Sequence, residues 1–103
     1  MAVREGLLAL LDERPRHGYQ LKTEFEHATG GVWPLNVGQV YTTLERLEHK
    51  GLVRAWIGEP TAERGGRRRK HFALTPGGAR ALKTAYRDYT EMAAGLERRL
   101  KRL

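Results

Sequence analysis

The chain contains no cysteine and no serine, and only two aspartates, Asp12 and Asp88. Without cysteine there are no disulfides, no thiolate metal sites and no thiol nucleophile. Without serine the Ser-His-Asp route to hydrolysis is closed. His27 and His49 have no ligand spacing to each other or to carboxylates, so no metal or cofactor is expected. No carboxylate pair stands beside a nucleophile, and the chain does not read as an enzyme. Long apolar runs are missing too. Leu7-Leu8-Ala9-Leu10-Leu11 is too short for a membrane span and lacks the flanks of a signal peptide. The expectation is a soluble, cytoplasmic protein. No internal repeat and no Ser- or Pro-rich linker divides it.

What is present is basic. In 103 residues, 19 Lys and Arg stand against 12 Asp and Glu, a net charge of +7. An apolar share of 40% is enough for one folded domain. The charge is not spread evenly. Residues 1–35 sum to −1, residues 36–57 to +1, residues 58–75 to +3 and residues 76–103 to +4. A basic second half points to a polyanion partner, nucleic acid before acidic membrane.

Apolar residues at 3, 7, 8, 10 and 11 predict a helix over Val3–Arg14, stopped by Pro15. The spacing Tyr19, Leu21, Phe25, Ala28 predicts a second helix from Gly18 to about Thr29, ended by Gly30-Gly31. Asn36 reads as the N-cap of a third helix running to His49, with Gly51 as its stop. Its expected buried stripe is Val37, Val40, Leu44 and Leu47; the opposite face carries Gly38, Gln39, Thr42, Arg46 and His49. Leu52–Ile57 and Lys70–Thr75 read as strands, the latter with Phe72 and Leu74 alternating against His71 and Ala73. Turn residues between them predict an antiparallel hairpin. Thr75-Pro76 starts a last helix. Along it Leu82, Tyr86, Tyr89, Ala93, Leu96, Leu100 and Leu103 are spaced 4, 3, 4, 3, 4, 3, a heptad seam. Such a helix is roughly 40 Å long. No core built from the first 75 residues can cover it, so the seam needs a partner, most simply a second copy. The order of elements is that of a winged helix-turn-helix: mainly α with a small β-hairpin, residues 1–75 forming the DNA-binding domain and 76–103 a dimerisation helix.

At this point the chain resembles the PadR family of bacterial transcriptional regulators. The resemblance rests on Leu7–Leu11, Pro15–Leu21 with its His17-Gly18-Tyr19, Trp33–Leu44, Arg46-Leu47-Glu48, Gly51-Leu52-Val53 and Arg68–Gly78. It covers about residues 3–80. The single C-terminal helix is similar to that of the small subfamily. The chain departs from the family in having His71 at a usual aromatic position, an added Arg67, Val40 where Leu is common, and a short start to the first helix. The resemblance implies a hydrophobic pore at the dimer centre, with Tyr89 at its aromatic position.

The candidate DNA contacts are His17, Tyr19, Asn36, Gly38, Gln39, Thr42, Thr43, Arg46, Arg67, Arg68, Arg69 and Lys70. Gln pairs with adenine, and Arg with guanine or phosphate. The third-helix face and the wing run are alternatively a solvated face and a charged hairpin. His17 and Tyr19 are either a phosphate site at a helix start or a turn residue and a core aromatic. Trp33 and Trp56 read as core or hairpin packing. The candidate dimer and effector residues are Leu82, Tyr86, Tyr89, Ala93, Leu96 and Leu100. The expected function is a ligand-responsive repressor, acting as a homodimer on a pseudo-palindromic operator in double-stranded DNA, with a small hydrophobic effector and no membrane. The alternatives are a nonspecific DNA architectural protein, and a membrane-surface protein using the basic last helix.

Overall fold

A computed structural model describes residues 3–31, 34–59 and 68–103. Seven elements follow in order: α1 (Val3–Glu13), β1 (Arg16–His17), α2 (Gly18–Ala28), α3 (Val37–His49), β2 (Val53–Ile57), β3 (Lys70–Leu74) and α4 (Pro76–Lys101). This is a winged helix-turn-helix with a long C-terminal helix. Among the described residues no helix is long and apolar enough to cross a membrane.

The core forms where the apolar stripes of three short helices meet the sheet. Leu7, Leu8 and Leu11 of α1, Leu21 and Phe25 of α2, and Val40, Leu44 and Leu47 of α3 are buried together with Leu35, Val53 and Phe72. One member of the expected α3 stripe is absent. Val37 is 37% exposed. It is the first helical residue, ahead of the turn that reaches the core, and Tyr41 packs there in its place.

The sheet has three strands in the order β1-β3-β2, all antiparallel. The two predicted strands pair as expected, with Ala55 opposite Phe72 and Trp56 opposite His71. The third strand is a correction to the hairpin. Arg16 and His17, given no strand in the sequence reading, pair with Phe72 and His71. β3 is therefore central and covered more fully than a hairpin strand. Phe72 and Ala73 are both buried, so the predicted alternation fails there. Residues 60–67, Arg67 among them, and Trp33 lie outside the described residues, so the predicted turn chemistry and the expected packing of Trp33 fall there.

Two junctions set how α4 leaves this body. α3 ends in a Schellman motif: the Gly51 N–H donates to the Glu48 carbonyl (2.9 Å) and the Leu52 N–H to the Leu47 carbonyl (2.9 Å), with Gly51 at φ 75°. Thr75 then caps α4. Its hydroxyl donates to the Gly51 carbonyl (2.6 Å) and accepts from the Gly78 N–H (3.0 Å). Gly78 is required here, because a Cβ would collide with the Leu52 carbonyl oxygen.

At the other end of the body lies a buried charge. Arg16 is 3% exposed. Its guanidinium donates to the carbonyls of Leu10 and Arg14 and to Glu13 (2.8 Å), and its Nε faces the Glu24 carboxylate. It thereby satisfies a carbonyl in the last turn of α1 and ties that helix to α2. Glu13 and Glu24 are partly exposed and can be hydrated without the guanidinium, so the loss is set mainly by the carbonyls left unpaired, about 1–3 kcal/mol. Arg16→Ala is expected to lower unfolding free energy by that amount. Urea titration followed by circular dichroism checks it; a loss below about 1 kcal/mol would mean that water replaces the guanidinium.

Candidate nucleic-acid interface

The helix-turn-helix is assembled by a series of caps. At the start of α2 the Gln20 N–H donates to His17 Nδ1 (3.3 Å) and the His17 N–H donates to Gln20 Oε1 (3.1 Å). This capping box satisfies two backbone donors reciprocally, with histidine in the place usual for Ser or Thr. Tyr19 follows on the first turn and is 50% exposed, so the core-aromatic reading of it is set aside. Gly18 is buried against Tyr41, and a Cβ there would enter the Tyr41 ring. α2 and α3 thus touch closely at this end.

The connector into α3 is held from α2. Glu26 accepts from Lys22 Nζ (2.8 Å) and from the Leu35 N–H (3.0 Å), and Leu35 is buried. The next residue is the cap: the Gln39 N–H donates to Asn36 Oδ1 (2.7 Å). The Asn36 side chain is therefore engaged by its own helix. Thr43 is half-buried and its hydroxyl donates to the Gln39 carbonyl (2.8 Å).

The remaining α3 candidates are brought together. At about 100° per residue, Val40, Leu44 and Leu47 fall within about 60° on the buried side. Gly38, Gln39, Thr42, Arg46 and His49 are exposed on the other side, and so is Glu45. These six span about 120°. Glu45 is absent from the face read off the sequence, although its spacing of three from Thr42 and four from His49 was legible there.

The wing is attached to this unit by side chains as well as by the sheet. The Trp56 ring stacks on His71 with centroids 5.6 Å apart, the Arg54 guanidinium lies 4.6 Å from the Trp56 centroid, and His71 meets His17 edge-on at 5.8 Å. Trp56 is thus hairpin packing, one of the two roles expected of it. The basic run divides. Arg68 is exposed, Arg69 is half-buried, and Lys70 reaches Glu48 of α3 (3.4 Å) and lies over Phe72.

α4 leaves the body after its first turns. Leu82 packs against the core, while Tyr86 is 72% and Leu96 55% exposed, and Tyr89, Ala93 and Leu100 are exposed with them. Leu82, Tyr86 and Tyr89 share an apolar cleft of about 160 Å³ with Ala85, and with Glu5 and Ala9 of α1. Ala93, Leu96 and Leu100 lie beyond it. Met92, missed in the sequence reading, adds to the exposed apolar surface.

This arrangement has known counterparts. The sequence profile of the transcriptional regulator PadR-like family matches residues 7–84. The chain belongs to that family. PadR-like membership makes it a transcriptional regulator and not an enzyme. A solved transcriptional regulator from Clostridium thermocellum superposes with a TM-score of 0.81 at 23% identity, over 93% of this chain and 87% of that one. Bacillus subtilis PadR, solved with operator DNA, superposes with a TM-score of 0.72 at 21% identity, over 82% of this chain. The match spans 46% of that PadR protein. An uncharacterised protein of Lysinibacillus sphaericus is 26% identical over 86 residues, 84% of this chain and 76% of its own length.

The Glu26 junction has a pH signature. The Lys22 ammonium, and after it the Leu35 N–H, hold the Glu26 carboxyl below its ordinary value of 4.5. A carboxyl depressed in the folded state stabilises above the unfolded value, and that stabilisation is lost as pH falls through the folded one. Glu26→Gln is therefore expected to unfold at lower urea than wild type at pH 7. The gap between the two midpoints should shrink steadily below about pH 4.5. A gap constant down to pH 3 would show that the ionised form is not what secures the connector.

Proposed function

We propose that this regulator acts as a homodimer that binds a pseudo-palindromic operator in double-stranded DNA, with residues 1–75 as the DNA-binding domain and 76–103 as the dimerisation helix. The observation that carries the reading is the bare polar face of α3, held rigidly between the Asn36 cap and the Schellman stop. In a helix-turn-helix this is the helix that enters the major groove. Gln39, Thr42 and Arg46 are its readers. Gly38 leaves room for close approach, and Asn36 and Thr43 act through the helix they stiffen. Arg68 and Arg69, with Arg67, supply phosphate contacts from the wing; Lys70 contributes less because Glu48 holds it. His17 and Tyr19 open α2, where backbone N–H groups and the helix dipole favour a phosphate.

The exposed stripe of α4 supports the dimer. Tyr86, Tyr89, Met92, Leu96 and Leu100 form a continuous apolar face along a helix about 39 Å long. The Tyr86–Tyr89 cleft supports a small hydrophobic effector, which by changing the angle between paired α4 helices would alter half-site spacing and release DNA. On this reading the protein is a cytoplasmic repressor.

Two measurements test it. Wild type should sediment as a dimer at micromolar concentration and Leu96→Asp as a monomer, because a charge in the seam costs several kcal/mol; a monomeric wild type would refute the dimer. Arg46→Ala should weaken operator binding by about 1–3 kcal/mol, with random DNA little changed, if Arg46 holds a guanine. Equal weakening on both DNAs would assign it to a phosphate. A wild-type ratio of specific to random affinity near one would instead mark an architectural protein.

A further inference from the structure

The exposed face of α3 contains a carboxylate that the reading above does not use. Glu45 lies along one edge of that face, three residues after Thr42 and four before His49. Thr42, Glu45, Arg46 and His49 stand at i, i+3, i+4 and i+7, the spacing with which the third helix of homeodomains reads base edges. A carboxylate there is costly near DNA. Duplex DNA carries a phosphate charge every ~1.7 Å along its axis, and like charges brought together disfavour binding.

Among the described residues no cation is paired with Glu45. The other carboxylates of α2 and α3 each hold a cation: Glu24 with Arg14 and Arg16, Glu26 with Lys22, Glu48 with Lys70. Glu45 is adjacent to Arg46 and close along the helix to His49 and Lys50. Among the described residues it makes no ion pair and no hydrogen bond, and it is exposed. It is a negative acceptor pointing away from the core, on the helix proposed to enter the groove. The one base-edge group in the major groove that offers a donor to such an acceptor by itself, with no acceptor beside it on the same base, is the N4 amino group of cytosine.

We propose that Glu45 is a specificity-determining residue that accepts a hydrogen bond from cytosine N4, selecting a C·G pair in each half-site and disfavouring other DNA. This rests on α3 being the groove helix. The contact offsets the repulsion at the right base only; elsewhere the repulsion stands. Glu45 thus raises specificity by weakening nonspecific binding, whereas Arg46 raises it by strengthening binding to the operator.

Selection from a random duplex library, with full-length wild type, Glu45→Gln and Glu45→Ala, tests this. Wild type should select one invariant cytosine per half-site. Glu45→Gln should move that preference to adenine, which Gln pairs with bidentately. Glu45→Ala should lose the preference at that position and keep the rest of the site. In anisotropy titrations, changing the cytosine should weaken wild type about fivefold to a hundredfold and Glu45→Ala by less than about twofold, a gap the base contact predicts. Both variants should bind random duplex more tightly than wild type. Their melting temperatures should match wild type, since the side chain is exposed. If both variants keep the wild-type consensus while random binding rises, Glu45 only repels and the proposal is overturned, with the α3 reading intact. If both lose all binding with melting unchanged, Glu45 is not a base reader. If wild type selects no site at all, the α3 reading fails first and this proposal falls with it.

Discussion

Burying a guanidinium is expensive unless it is paired and hydrogen-bonded, and in this protein α1 and α2 meet at Arg16, whose two terminal nitrogens are hydrogen-bonded and whose Nε is ion-paired with Glu24. Its partners come from three places: carbonyls at the end of α1, Glu13 on the same helix, and Glu24 on α2. The backbone at Arg16 is paired with β3 at the same time. One side chain therefore fixes where α1 ends, where α2 begins, and which strand lies at the sheet edge. The next residue, His17, is the N-cap of α2 and touches His71 of the wing. The charge clamp and the wing contact are consecutive residues, so the position of the wing relative to α2 follows from the position of Arg16.

From there the structure proceeds by caps, each using a side chain to satisfy a backbone donor at an element boundary. Glu26 holds the Leu35 N–H, Asn36 holds that of Gln39, and Thr75 holds that of Gly78. Each such bond contributes only about 1 kcal/mol. Their value here is directional. α3 is gripped at its start by Asn36 and the Glu26-anchored connector, and at its end by Gly51 and the carbonyl that Thr75 occupies. A helix held at both ends can present an uninterrupted polar face without needing that face for packing, which is the condition for reading a ligand with it.

α4 obeys a different economy. Its first turns are packed against α1 and β3, with Gly78 pressed on Leu52 and Leu82 on the core. Beyond Tyr89 its large apolar residues Met92, Leu96 and Leu100 stay exposed. An exposed apolar ridge of this kind is what the proposed dimer would cover. The small cleft between α1 and α4 lies at the point where the helix departs, so any group entering it would act directly on the direction of α4.

Much of this was legible in the residues. Periodicity marks one face of each helix because burial repeats every 3.6 residues, so Leu7, Leu8, Leu11, Val40, Leu44 and Leu47 declare themselves. Asn36, Gly51 and Thr75-Pro76 mark boundaries because capping is local chemistry. The heptad seam declares an unburied helix by its length alone. What the order of residues could not reveal depends on contacts between distant segments. Arg16 looks like any arginine after a proline until three elements close over it. Arg16-His17 becomes a strand only because β3 offers an unpaired edge. Val37 matches the period but precedes the turn that meets the core, and Ala73 is buried because its strand is central. Lys70 is one of four consecutive cations until Glu48, 22 residues away, takes it out of the set. Glu45 is one acid among twelve until the pairings of Glu24, Glu26 and Glu48 show that, among the described residues of α2 and α3, it is the acid without an ion pair. Local propensity and capping are written in neighbouring residues; burial of a charge, strand pairing and the pairing of ions are decided by which surfaces the folded chain brings together.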